Sequence, residues 1–231
     1  MLPIIYQDEY FVAINKPNAL LVHKSNIAKD VKEVAVQQLR DQLKKRVYLL
    51  HRLDRPTSGV LLFALSKEAA AAMGEIFQNQ AVEKTYYAIV RGYTEEEETV
   101  DYALKKEMKH QAQEAITHYK TLAQIEIDAA IGRYSTGRYS LVKIQPKTGR
   151  MHQIRRHFSH LRHPIIGDKR HGDVRHNRHF RMHFNCHTLL LLAQQLQFTH
   201  PYTNEEITIQ AEASEDMKKV CAAFNWTHLL P

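Results

Sequence analysis

The sequence reads as that of an α+β protein. Strand-like segments occupy both ends, a wholly apolar run of strand length lies at residues 60–65, and one-sided helical patterns fall between them. In "IIYQDEYFVAINKP", residues 4–6 and 11–15 are two short apolar strands joined by Gln7-Asp8-Glu9 and stopped by Pro17, so the chain opens with a hairpin. Residues 31–44 put Val31, Val34, Ala35, Leu39 and Leu43 on one side of a helix. The run at 60–65 has the Val/Leu/Phe content of a buried strand and is entered through the turn chemistry of Pro56-Thr57-Ser58-Gly59. A helix follows at 66–80, N-capped by Ser66, and "EKTYYAIVRG" returns to strand character.

The second half continues the mixture. Glu95, Glu96, Glu97 and Glu98 make an acidic run, expected as a solvated loop on the face away from any polyanion. "SLVKIQPKTGRMHQIRRHFSHL" combines a strand (140–145), a Pro-Lys-Thr-Gly turn and a helix. Its apolar residues Met151, Ile154, Phe158 and Leu161 are spaced three, four and three apart. His152, Arg155, Ser159 and Arg162 form the adjacent polar stripe, which sets Arg155 at the edge of the buried face. "LLLLAQQLQFTHP" and "EEITIQA" supply further strands before a short C-terminal helix. No repeat, low-complexity segment or linker interrupts the chain.

With 231 residues and 44 % hydrophobic content, a sizeable core is available without staples. Two cysteines, Cys186 and Cys221, fit a reducing compartment, and no signal-like start or run of about 18 apolar residues is present. A soluble cytoplasmic protein with no membrane association is expected. The net charge of +7 is localised: residues 147–181 hold ten Lys/Arg against Asp168 and Asp173, a net +8, which leaves the rest at −1. Seven of the fifteen histidines share that segment. A polyanion is the natural partner, and the candidates to grip its phosphates are Lys147, Arg150, Lys169, Arg170, Arg175 and Arg178.

"HRLDRPTSGV" holds one carboxylate, Asp54, between two arginines on a loop that feeds the buried strand. Arg55 precedes proline and is kept extended, and Gly59 permits a tight turn, so the loop is both rigid and accessible. Capping the turn or pairing with an arginine would be the ordinary fate of such an aspartate. A lone carboxylate used as a nucleophile must be ionised and poorly hydrated, and needs a cation beside it.

Three stretches, "HRLDRPTSGV", "EKTYYAIVRG" and "PKTGRMHQIRRH", resemble in order and context the RluA-type pseudouridine synthases. The resemblance runs from "YQDEYFVAINKP" through "HPIIGDKRHGD" to "FTHP", covering essentially the whole chain. It implies a single catalytic domain over 1–231 with no appended S4-like RNA-binding domain, built as a mixed, mainly antiparallel sheet bent across a central cleft with flanking helices. It also implies isomerisation of a uridine in RNA without a cofactor. The stretches are most similar to members acting on transfer RNA, at uridine 65 of the T stem; ribosomal RNA is the alternative substrate. No obligate protein partner is evident.

By the same resemblance Asp54 is the nucleophile, Arg155 its guanidinium partner, and Tyr86 the catalytic tyrosine, while Arg52 fills the place of a flipped-out uridine. By position alone Arg155 could equally contact phosphate. Tyr87 points to the face opposite Tyr86 if the segment is a strand, so one of the two faces the cleft. His51 needs only a packing or hydrogen-bonding role. Leu192 stands where the family usually has a histidine in an "LxLHA" stretch. His179, His183 and His187 are spaced by four beside Cys186, but Arg175, Arg178 and Arg181 among them repel a cation, so no metal site is assigned. A non-catalytic RNA-binding protein would explain the basic segment but not Asp54 with its matched tyrosine and arginine. A metal-dependent nuclease would want several convergent carboxylates.

Overall fold

A computed structural model describes residues 1–23, 34–105 and 111–230. In chain order the elements are β1 (Ile4–Gln7), β2 (Phe11–Lys16), α1 (Ala35–Leu43), β3 (Tyr48–Leu49), β4 (Ser58–Ala64), α2 (Lys67–Gln78), β5 (Glu83–Arg91), β6 (Glu97–Asp101), β7 (Leu104–Lys105), β8 (Ala112–Gln113), β9 (Ile116–Ile127), β10 (Gly137–Pro146), α3 (Gln153–His160), α4 (Val174–Phe184), β11 (Leu191–Thr199), β12 (Glu206–Gln210) and α5 (Glu215–Ala223). The class is α+β, and the ladders β1–β2, β2–β4, β11–β12, β5–β10, β9–β10 and β6–β9 are antiparallel. No described helix is long and apolar enough to cross a membrane. The chain divides into two compact units, 1–84 with 193–212, and 85–192 with 213–231.

In the first unit, β1 pairs with β2, β2 with β4, and β12 with the part of β11 that lies in this unit. Asp8 closes the opening hairpin: its Oδ1 accepts from the backbone N–H groups of Tyr10 (2.7 Å) and Phe11 (2.6 Å). All seven residues of β4 are buried, as the apolar run predicts, and its Val60, Leu62 and Ala64 pack with Phe11, Ala13, Met73, Leu196 and Phe198 in a hydrophobic core of this unit. Ser66 caps α2 by accepting from Ala69 N–H at 3.0 Å. The expected start of α1 at Val31 lies outside the described residues; its end is set by Lys44 in the left-handed conformation. Gly59 (φ +117°) is required, because a Cβ there would come within 2.1 Å of the Ala193 carbonyl oxygen.

In the second unit, β5, β10, β9 and β6 lie side by side in that order. One sheet face packs on Ile166, Phe180, Met217 and Phe224; the other packs on Ile154 and Phe158 of α3 with Leu189 and Leu191. Two expectations change here. Half of the glutamate run is strand: Glu97 and Glu98 belong to β6, where pairing with β9 supplies backbone hydrogen bonds and Glu98 accepts from the Tyr119 hydroxyl at 2.7 Å. Helix α3 is shorter than its apolar spacing, beginning at Gln153 and leaving Met151 exposed. Leu192 is enclosed by apolar neighbours including Ile89, Leu141 and Ile166, a setting that suits leucine where the family pattern has histidine.

Candidate active site

The residues singled out from sequence divide between the two units. The first holds Asp54 and Arg52; the second holds Tyr86, Arg155 and the six candidate phosphate ligands.

The Asp54 loop turns immediately before β4, closed by the Thr57 N–H donating to the Asp54 carbonyl at 3.0 Å. Exposure alternates along it: Arg52 is out, Leu53 is buried as an anchor, and Asp54 is half-buried. The loop is stitched to residues 17–20 by three side chains. Lys16, fully buried, donates from Nζ to the carbonyls of Pro17 (2.9 Å), Leu20 (3.0 Å) and Arg55 (3.1 Å). Asn18 Nδ2 donates to Pro56 O at 2.6 Å, and Arg55 Nε to Ala19 O at 2.8 Å. These contacts fix the backbone that follows Asp54, at Arg55 and Pro56. Loops rigid enough to preset a nucleophile need such backbone anchoring, since a misplacement of about 1 Å can cost about 10²-fold.

Lys16 is the residue that sequence reasoning missed. It closes a strand before a proline, and nothing in its neighbours signals burial. Its three carbonyl acceptors match the three donors of an ammonium, whereas an amine has only two N–H bonds to offer. Burial pulls its pKa down to about 7, against the opposing attraction of the Asp54 charge. The unfolded lysine therefore holds a proton between pH 7 and 10.5 that the folded one has shed, and stability from this group rises with pH across that window. Urea unfolding of wild type and Lys16→Met should show the difference in stability shifting toward wild type from pH 7 to 10. A difference independent of pH would put the folded lysine at its ordinary pKa.

His51 has a structural job. Its Nε2 accepts from the Leu62 N–H at 3.1 Å, which fixes the proton on Nδ1, and its ring lies 5.4 Å from that of Phe77. Burial, then the charge of Lys84, pushes its pKa down to about 3, so it stays neutral.

In the second unit, β5 sets Tyr86 and Tyr87 on opposite faces, opposite Ile144 and Lys143 of β10. Tyr87 is buried in the core with Tyr139 and Leu141. Tyr86 is half-buried on the α3 side, against the cluster that includes Ile144, Ile154 and Phe158. The alternation expected of a strand thus sends Tyr87 to the core and leaves Tyr86 partly accessible.

Arg155 is more deeply buried than an edge position predicts, with its side chain 5 % exposed. The reason is Asp168, itself 1 % exposed, which takes Arg155 Nε on Oδ2 (2.7 Å) and Nη2 on Oδ1 (2.9 Å). Oδ1 also accepts from the backbone N–H groups of Arg170 (2.9 Å) and His171 (3.0 Å). Burial resists ionisation of Asp168, but the Arg155 fork and these N–H groups outweigh it and hold the carboxyl below its usual range. Asp168 occupies two of the five guanidinium donors and fixes the plane of the other three. Its loop is held by Asn177, which accepts from Gly167 N–H (2.7 Å) and donates to the Asp168 carbonyl (2.8 Å).

The turn before α3 is equally constrained. Buried Gln153 accepts from Thr148 Oγ1 and Arg150 N–H and donates to the Ile116 carbonyl and Thr117 Oγ1. His152 adopts a left-handed conformation (φ 55°) and its Nδ1 lies 2.9 Å from His171 Nε2. Lys147, Arg150, Lys169, Arg170, Arg175 and Arg178 are all exposed. The histidine series is broken: α4 ends at Asn185 (φ 49°), so His187 lies beyond the helix, bonding to Asn185 and Asp216. Among the described residues no group of three His, Cys, Asp or Glu could hold a metal ion.

Residues 10–160 match the family model described as RNA pseudouridylate synthase. A protein of Vibrio parahaemolyticus named tRNA pseudouridine synthase C is 50 % identical over 97 % of this chain and 96 % of its own length. One of the same name from Pectobacterium carotovorum is 49 % identical over all of this chain, which spans 64 % of that relative. The solved structure titled Human RNA Pseudouridylate Synthase Domain Containing 1 superposes with a TM-score of 0.71 at 26 % identity, covering 91 % of this chain and 83 % of the other.

Proposed function

The chain belongs to the RNA pseudouridylate synthase family, in its RluA-type branch, and we propose that its substrate is transfer RNA, with uridine 65 of the T stem as the target. It is a pseudouridine synthase, an isomerase. In the reaction the bond from ribose C1′ to uracil N1 breaks, the uracil turns, and C1′ bonds to C5. The C5 proton leaves and N1 gains one, so the overall change is balanced without a redox partner or second substrate.

In the proposed mechanism Asp54 attacks as the nucleophile. Arg155 is its cationic partner: a guanidinium keeps its proton when buried, where a lysine loses it, as Lys16 does near neutrality. Asp168 is the positioning residue for Arg155. Tyr86 stacks on the uracil and brings its hydroxyl to the ring or ribose as proton acceptor. Arg52, exposed two residues before Asp54 on an extended loop, fills the space vacated by the flipped base. A paired base must lose stacking and pairing at a cost of a few kcal/mol, which calls for a broad phosphate grip such as the exposed basic groups from Lys147 to Arg178.

The observation that carries the substrate reading is the identity of about half, over nearly the whole chain, with relatives named for tRNA. Purified protein incubated with unmodified tRNA transcripts and with ribosomal RNA fragments should produce pseudouridine in the T stem of tRNA, mapped at nucleotide resolution. Modification of ribosomal RNA alone would overturn the substrate and keep the chemistry.

A further inference from the structure

A basic and aromatic surface that none of the sequence motifs includes lies on the turn between β9 and β10. Backbone hydrogen bonds between Ile131 and Tyr134 run in both directions and close this turn, and Ile131 roots it in the core beside Phe180 and Phe224. The turn is therefore anchored, yet it holds a large ring in solvent: Tyr134 is 56 % exposed. The Arg133 guanidinium lies 5.0 Å from the centre of that ring and donates from Nη2 to the Tyr134 hydroxyl at 2.8 Å. Gly132 (φ +69°) lets a third group approach, since a Cβ there would meet Arg175 Nη1 at 2.8 Å. Arg175 comes from α4, and exposed Arg178 follows it one turn on. An arginine layered on a tyrosine, flanked by further guanidinium groups, combines what single-stranded RNA requires: a flat π-surface for a base and cations for the phosphates on either side.

We propose that Arg133, Tyr134 and Arg175 form a docking platform for an unpaired nucleotide of the RNA substrate, the base stacking on Tyr134 and the arginines holding its flanking phosphates. The proposal rests on the RNA-substrate reading above. It selects an unpaired nucleotide because a base inside a helix already has both faces covered by its neighbours. Protein partners are disfavoured by the charge, which is complementary to phosphate and crowded with guanidinium groups that a protein surface would have to desolvate.

Tyr134 is exposed, so substitutions there spare the fold. Binding of an unmodified tRNA transcript at fixed ionic strength should weaken about 5- to 150-fold in Tyr134→Ala, the range that one base–aromatic stack contributes, and remain close to wild type in Tyr134→Phe. Arg133→Ala should weaken binding and lower its salt dependence. The Tyr134→Trp variant supplies a direct readout: the chain's natural tryptophan, Trp226, is buried, and added fluorescence from position 134 should be quenched when RNA saturates the protein. An unchanged Kd for Tyr134→Ala, or unquenched emission from Tyr134→Trp in the saturated complex, overturns the platform. If wild type binds neither tRNA nor ribosomal RNA fragments, the RNA-substrate reading falls and the platform falls with it.

Discussion

Asp54→Asn should reduce pseudouridine formation by about 10⁶-fold, the scale on which deletion of a covalent nucleophile acts, while RNA affinity stays the same or tightens slightly. Asparagine keeps the size of the side chain and its capacity to accept a hydrogen bond, so the loop held by Lys16, Asn18 and Arg55 has no reason to move. It removes a negative charge that repels phosphate. Single-turnover assays with saturating tRNA, paired with a binding measurement, separate the two effects. Turnover near wild type would remove Asp54 from the chemistry. Loss of binding in parallel with loss of turnover would make it a recognition residue.

The largest stability effect is expected at Arg155. Arg155→Ala strands Asp168, which is 1 % exposed and would keep two backbone donors but no cation; breaking a buried pair in this way costs about 3–5 kcal/mol. Arg155→Lys should be intermediate, because a lysine supplies charge without the two parallel donors that meet Oδ1 and Oδ2. The double variant Arg155→Met with Asp168→Asn should regain much of the stability, since the asparagine oxygen can still accept from the N–H groups of Arg170 and His171 and no buried carboxylate is left at position 168. Activity should not return in that variant. Stability and activity thus part company, and urea unfolding with tRNA modification assays reads both. A double variant as active as wild type would confine the guanidinium to a structural role.

The local features were legible because they are set by neighbours in sequence. The hairpin of β1 and β2, the buried run of β4, the Ser66 cap and the opposed tyrosines of β5 follow from period, turn chemistry and capping, all properties of a few adjacent residues. The candidate residues Asp54, Tyr86 and Arg155 were legible for another reason: the stretches around them resemble a known family. The end of α4 was less so. Its histidine spacing continues the helical period to His187, but Asn185 turns left-handed at the cap and takes His187 off the helix.

The sequence by itself determined an α+β chain whose positive charge is concentrated in one segment and whose carboxylate Asp54, between two arginines, stands on a rigid loop. Tertiary structure alone decided which charges are buried and what compensates them. Lys16 is 39 residues from Arg55, and Arg155 is 13 from Asp168. Nothing in either residue's own neighbourhood distinguishes a solvated cation from one enclosed by carbonyls or locked to a carboxylate. Burying a charge is tolerable only when its partners arrive with it, and those partners come from loops whose approach is fixed by packing elsewhere in each unit.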